Sequence, residues 1–226
     1  IIGSLKSNQF NKCLNNTTPA VAFISQYRRR WNAPETKEVN DTKAAYDSFY
    51  LAEQKALKFL AKWCDENHKS LEIIGCSSED TANEANFFSS ILGMHSYDFI
   101  PKSNASCSYQ LVDSAEIVVT INSTLGYESI ARGKKTAFFS CRGVGIKRLG
   151  YDFANSFNFG WPAELPDNGP FWTNNQDEKE FKRIMDYLCS ISDQELEDTW
   201  QQYALEIMDY DPGNTRFIAL IDRILS

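Results

Sequence analysis

The run Glu116–Ile121, EIVVTI, constrains this chain more than any other stretch. It is β-branched and apolar on both faces, so a strand built from it must be covered from both sides. Strands of that kind belong to parallel sheets joined by helical crossovers. The flanking sequence agrees, since apolar runs of strand length alternate with longer helical patterns. Strands are expected at Ala20–Ser25, Leu71–Cys76, Tyr97–Pro101, Glu116–Ile121 and Lys135–Ser140. Between them, Thr42–Asn67 carries Phe49, Ala52, Ala56, Phe59, Leu60 and Trp63 at helical spacing, with Asp41 or Thr42 as cap. Glu79–Leu92 reads as a helix capped by Ser77 or Ser78 and stopped by Gly93, and Ser108–Ala115 as one or two turns. Ser123–Arg132 reads as a helix ending at Gly133. From Gly143 to Asn175 the texture turns to Gly, Pro, Asn and aromatics: a long ordered loop with a short sixth strand near Phe157–Phe159. Three helices then close the chain, at about Asp177–Ile191, Asp193–Asp209 and Asn214–Leu225, the last two separated by Asp211-Pro212-Gly213.

The expected fold is therefore α/β: a Rossmann-like parallel sheet of about six strands, helices on both faces, and a C-terminal helical appendage. Residues 1–18 read as a linker from a preceding half, 19–176 as the Rossmann-like domain, and 177–226 as helices packed on it. Acidic residues outnumber basic ones, 30 to 23, for a net charge of −7. That balance argues against a basic face for nucleic acid. No apolar stretch approaches the ~20 residues a membrane span needs. The six cysteines are far apart with no CxxC pair, and His68 and His95 are not spaced as metal ligands with any of them. No metal site is expected, and the cysteines read as buried thiols of a reducing compartment. No GxSxG elbow, P-loop or strand-borne GxGxxG is present.

In open α/β sheets, ligands bind beyond the carboxyl ends of the strands. That rule selects the loops Ser25–Arg30, Cys76–Glu79, Ser103–Ser108 and Asn122–Glu128. The last runs Asn122-Ser123-Thr124-Leu125-Gly126-Tyr127-Glu128 from strand straight into helix. Unpaired first-turn N–H groups and the helix dipole, beside Ser and Thr hydroxyls, form an anion cradle suited to phosphate. Glu128, about a turn and a half along, can accept from the vicinal hydroxyls of a ribose. The same spacing also fits an ordinary Ser/Thr N-cap followed by a solvated Glu.

The block VDSAEIVVTINSTLGYESIARGKKTAFFS, Val112–Ser140, resembles the donor-side signature of GT-B glycosyltransferases. It is most similar to the Kdo-transferase-like and polysialyltransferase-like branch of bacterial capsule and surface-polysaccharide synthesis. IIGSLKSN, Ile1–Asn8, resembles the stretch linking the two GT-B halves. The resemblance implies the C-terminal, nucleotide-sugar-binding half of the fold and metal-independent sugar transfer without a cofactor. The implied donor is CMP-, UDP- or GDP-linked, and the acceptor is a glycan or glycolipid presented by a missing N-terminal domain. It also implies a cytoplasmic protein, with room for peripheral association at the inner membrane face, that binds donor but does not transfer sugar alone. Ser123, Thr124 and Leu125 would hold donor phosphate, Glu128 the ribose, and Ser106 and Ser108 would lie near the base. The chain departs from the family where Lys135 replaces the usual Pro after Gly133-Lys134.

After the first strand, Gln26 and Arg28 are candidates for the donor phosphate, an Arg there being able to contact phosphate bidentately. Arg29 and Arg30 read as solvated surface. Asp167 and Asn168, between the aromatic clusters Gly160-Trp161-Pro162 and Gly169-Pro170-Phe171-Trp172, are candidates for sugar hydroxyls, and Lys147 and Arg148 for phosphate. No catalytic residue is singled out. Two other readings stand beside the transferase. A nucleotide-sugar epimerase or hydrolase would usually carry a Ser-Gly-Gly-x-x-Glu loop where Thr124-Leu125 replaces the glycines. A non-catalytic α/β module would dock through Phe157–Trp172.

Overall fold

The computed structural model describes residues 3–12, 17–27, 40–148, 152–204 and 206–226, with only the backbone for 40–50 and 105. Six strands form one sheet: β1 Thr18–Ile24, β2 Ser70–Ile74, β3 Asp98–Ile100, β4 Ala115–Thr120, β5 Lys135–Phe139 and β6 Trp172–Thr173. The order is β3-β2-β1-β4-β5-β6, and every neighbouring pair is parallel. β1 lies between β2 and β4, Phe23 facing Ile73 on one side and Val119 on the other. The β1–β4 register shifts between Thr18 and Val21, where Pro19 has no N–H to donate.

Alternation along the strands feeds two apolar layers. Val21, Phe23, Ile73, Ile117 and Val119 join the larger core, while Ala22, Ile24, Ile74 and Val118 point the other way. The larger layer is covered by α1 (Asn40–Glu66), α2 (Thr81–Leu92) and α6 (Glu178–Ser190), through Leu57, Leu60, Trp63, Phe88 and Phe181. Phe181 stacks on Phe139 of β5 at 4.1 Å between ring centres. The opposite face carries α3 (Ala105–Ser114) and α4 (Thr124–Ala131), which contribute Val112 and Leu125. Two-sided burial is what the EIVVTI run demands.

Several boundaries differ from the sequence expectation. α3 starts at Ala105 because the Asn104 carboxamide accepts the Cys107 N–H at 2.8 Å. We expect Asn104→Ala to cost about 1 kcal/mol, read as a lowered urea midpoint with an unchanged slope. α2 begins after Asp80, and the Ser77 hydroxyl accepts the Asp80 N–H at 3.1 Å. Gly93 ends α2 as expected, with φ at +58°. The sixth strand is not at Phe157–Phe159: 152–157 form a 3₁₀ helix, and Trp172–Thr173 pair with Phe138–Phe139 instead. Phe159 is buried as a side chain, stacked on Trp172 at 4.6 Å. Arg142–Arg148, expected within the loop, form α5. The chain closes with α7 (Asp193–Ala204), which buries Trp200, and α8 (Thr215–Leu225), which buries no residue. No helix among the described residues is long and apolar enough to cross a membrane.

Candidate functional site

The chain order reverses between β1 and β4, since connections run outward to β2 and β3 on one side and to β5 and β6 on the other. Loops leaving the two central strands diverge there and open a crevice. A cavity of about 260 Å³ lies at this place, lined from the strand ends by Ile24, Ser25, Ile74, Gly75 and Cys76. Lys102, Ser108 and Tyr109 close it on the α3 side, and Ser123, Thr124, Leu125 and Glu128 on the α4 side. Lys6, from the N-terminal segment, completes the wall.

At the tip of α4, Ser123 is the N-cap: its hydroxyl accepts the Leu125 N–H at 3.3 Å, and its own N–H donates to Thr120 Oγ1 at 3.0 Å. Thr124 is the first helical residue and is exposed. Its hydroxyl and N–H therefore stand at the positive end of the dipole, facing a cavity with two lysines and one carboxylate. That is a cationic recess in an acidic protein. Helix α4 sits close to the sheet because position 126 is glycine. A Cβ there would lie 2.4 Å from Thr120 Cγ2 and 3.3 Å from the Phe138 ring.

Glu128 is buried, and its carboxylate is already engaged. Tyr109 Oη donates to Oε2 at 2.8 Å and Ser4 Oγ donates to Oε1 at 2.5 Å. Burial, then the Glu128 hydrogen bond, raises the Tyr109 phenol above its ordinary range and keeps it a donor. Ser4 is held in place by its neighbour Gly3, which has φ at +67° and lies so close to Asp209 that a Cβ would fall 2.1 Å from the Asp209 carbonyl oxygen. The rest of this segment is fastened by buried Arg132. Its guanidinium pairs with Asp113 (Nε to Oδ1, 3.0 Å), donates to the carbonyls of Ser7 (3.4 Å), Phe10 (2.8 Å) and Asn11 (3.3 Å), and lies between the Tyr109 and Tyr210 rings. Lys6 thereby reaches the cavity.

Of the residues expected from sequence, Ser108, Ser123, Thr124, Leu125 and Glu128 line this one cavity. Gln26 stands behind it, its Oε1 accepting the Asn122 N–H at 3.2 Å. Ser106 donates to Asn104 Oδ1 at 2.8 Å, part of the α3 cap rather than the cavity wall. Asp167 and Asn168 are not at the cavity. They bind the turn before β6, Asp167 O accepting from Asn174 N at 2.7 Å and Asn168 Oδ1 from Thr173 Oγ1 at 2.6 Å. Arg28 lies outside the described residues. Neither histidine lines the cavity; His95 Nδ1 lies 2.8 Å from Asp65 Oδ2 at the surface. Lys6, Lys102 and Tyr109 also line the cavity and are not among the residues expected from sequence. Lys6 falls within the IIGSLKSN stretch, but nothing local to Lys102 or Tyr109 marks them, because only the crossover brings them to the strand ends.

Fold and crevice together define a Rossmann-like α/β protein. The chain belongs to the family described as "putative O-antigen biosynthesis protein", whose model matches residues 1–225, and so to polysaccharide biosynthesis. No curated protein matches it. Among solved structures it is similar to a "putative UDP-N-acetylglucosamine 2-epimerase" from Listeria monocytogenes, at 14% identity and a TM-score of 0.51, over 94% of this chain and 47% of that one. It also matches a UDP-GlcNAc 2-epimerase from Neisseria meningitidis bound to UDP-GlcNAc, at 9% identity and a TM-score of 0.45, over 94% and 45%. The chain spans about half the length of these solved structures.

Proposed function

We propose that the cavity binds the nucleotide of an activated sugar, and that the chain is the donor-binding part of a metal-independent glycosyltransferase of surface-polysaccharide synthesis. The observation that carries this reading is the meeting of the α4 tip, Ser123 and Thr124, with Lys6 and Lys102 at the switch point of the sheet. Helix-terminal N–H groups, hydroxyls and ammonium groups stabilise the charge that gathers on a departing nucleotide phosphate. They do so without reorganising, since Ser123 is fixed by its capping bonds. Glu128 faces the same space and is the acceptor for ribose hydroxyls in this reading. Ser108 lies on the side assigned to the base. The donor is CMP-, UDP- or GDP-linked. Its acceptor, a glycan or glycolipid, is brought by a second half of the enzyme, and transfer requires both.

Calorimetric titration with UDP, CMP and GDP tests the binding. We expect one of them to bind, and Ser123→Ala with Thr124→Ala to weaken it by roughly 10–100-fold, as two hydrogen bonds to a charged group would. Unchanged affinity in the double variant overturns the assignment. An epimerase reading uses the same ligand and has one supporting observation, the fold shared with the Listeria structure. Incubation with UDP-GlcNAc followed by NMR separates the two: a product inverted at C2 belongs to an epimerase, whereas the transferase reading expects the sugar unchanged.

A further inference from the structure

Behind the α4 tip lies a closed ring of polar contacts drawn from four parts of the chain. Glu53 of α1, fully buried, accepts the Gln26 N–H on Oε1 at 3.4 Å and Arg142 Nη2 on Oε2 at 3.2 Å. Arg142 of α5, also buried, gives its Nη1 to Asn122 Oδ1 at 2.6 Å. Gln26 closes the circuit, its Oε1 taking the Asn122 N–H at 3.2 Å. Asn122 is thus held at both backbone and side chain, and the next residue is Ser123, the N-cap of α4. The cavity wall includes Ser123 but not Glu53, Arg142 or Gln26.

We infer that Arg142 is a positioning residue for the phosphate cradle: paired with Glu53, it fixes Asn122 and so aims Ser123 and Thr124 at the ligand. The inference rests on the nucleotide-binding reading above. An ion pair at this depth adds little net stability, because removing both charges from water offsets their attraction. What it does supply is geometry. Arg has a rigid fork that can hold a carboxylate and a carboxamide together; Lys is a point donor on a flexible stem and cannot hold both in the same planes. Cradle donors act only when aimed at the phosphate, and small misplacements are costly in such sites.

The test is titration of the unaltered chain, Asn122→Ala, Arg142→Lys and the double variant with UDP, CMP and GDP, with thermal unfolding of each recorded. Asn122→Ala takes the acceptor from buried Arg142 Nη1, so the melting temperature should fall by a few degrees, and nucleotide binding, read well below that midpoint, should weaken roughly tenfold. Arg142→Lys should do the same, and the double variant should be no weaker than either single, because both changes release one and the same turn. A double variant weakened by the product of the two effects, about a hundredfold, overturns the inference, as does Asn122→Ala with undiminished affinity. Should Arg142→Lys fail to fold, Asn122→Ala decides alone. Silence of the unaltered chain toward all three nucleotides overturns the binding reading and takes this inference with it.

Discussion

Arg132→Ala is expected to destabilise the protein by about 3–5 kcal/mol, since it leaves the Asp113 carboxylate buried without its cation. For a chain of this size that is a fall of roughly 6–20 °C in melting temperature. The guanidinium is enclosed by groups that have no substitute for it: the buried carboxylate, three backbone carbonyls of 7–11 and two tyrosine faces. Arg132→Met combined with Asp113→Leu should cost clearly less than Arg132→Ala, because no charge is then stranded. The loss should reach the site as well. Ser4 and Lys6 belong to the segment that Arg132 fastens, so nucleotide affinity should fall in Arg132→Ala at temperatures where the chain is still folded. Calorimetry at 10–20 °C below its midpoint reads this directly, and undiminished affinity there would mean that the segment holds its place without Arg132.

The second large effect is expected at Gly126. Alanine there places a methyl carbon 2.4 Å from Thr120 Cγ2, closer than carbon atoms approach, and 3.3 Å from Phe138. Helix α4 must then lift from β4 and β5, at a cost of about 1–3 kcal/mol. Because α4 carries Ser123 and Thr124, its displacement should also weaken nucleotide binding. Thr120→Ser offers a specific rescue: it deletes the obstructing methyl and keeps the Oγ1 that accepts the Ser123 N–H. Gly126→Ala with Thr120→Ser should recover part of both stability and affinity. A double variant no better than Gly126→Ala would place the obstruction elsewhere.

How legible these features were in the sequence varies with the range of the forces behind them. The five longer strands are read correctly to within a residue or two; for β1, β4 and β5 this is because two-sided burial leaves its mark locally, in apolar runs, whereas β3 lies at the sheet edge with no buried residue. β6 is only Trp172–Thr173, and its strand character comes from pairing with Phe138 and Phe139, about thirty residues back. Phe157–Phe159 looks more strand-like, yet Phe159 is used to stack on Trp172. α3 begins about a turn before the expected Ser108, because the Asn104 cap fixes its start at Ala105. In the site, Ser123, Thr124 and Glu128 are legible because strand, turn and helix follow one another without a break. Lys102, Tyr109 and the Glu53–Arg142 pair are not, since each depends on which strands are neighbours. Asp167 and Asn168 mislead for the opposite reason. Polar residues between aromatics suit a sugar, but here their side chains are taken up locally: Asn168 Oδ1 accepts from Thr173 Oγ1 at 2.6 Å and Asp167 Oδ1 from Asn174 Nδ2 at 3.2 Å.

The Ser4–Glu128 contact has one more consequence. Any hydroxyl that reaches this carboxylate meets two incumbents, and of these Tyr109 is the more deeply buried. A newcomer takes a remaining lone pair or evicts the serine, and swapping one hydroxyl for another is close to isoenergetic. If the cavity holds a nucleotide as proposed, Glu128 would therefore contribute discrimination more than grip, rewarding a guest whose oxygens are spaced to fit the gaps.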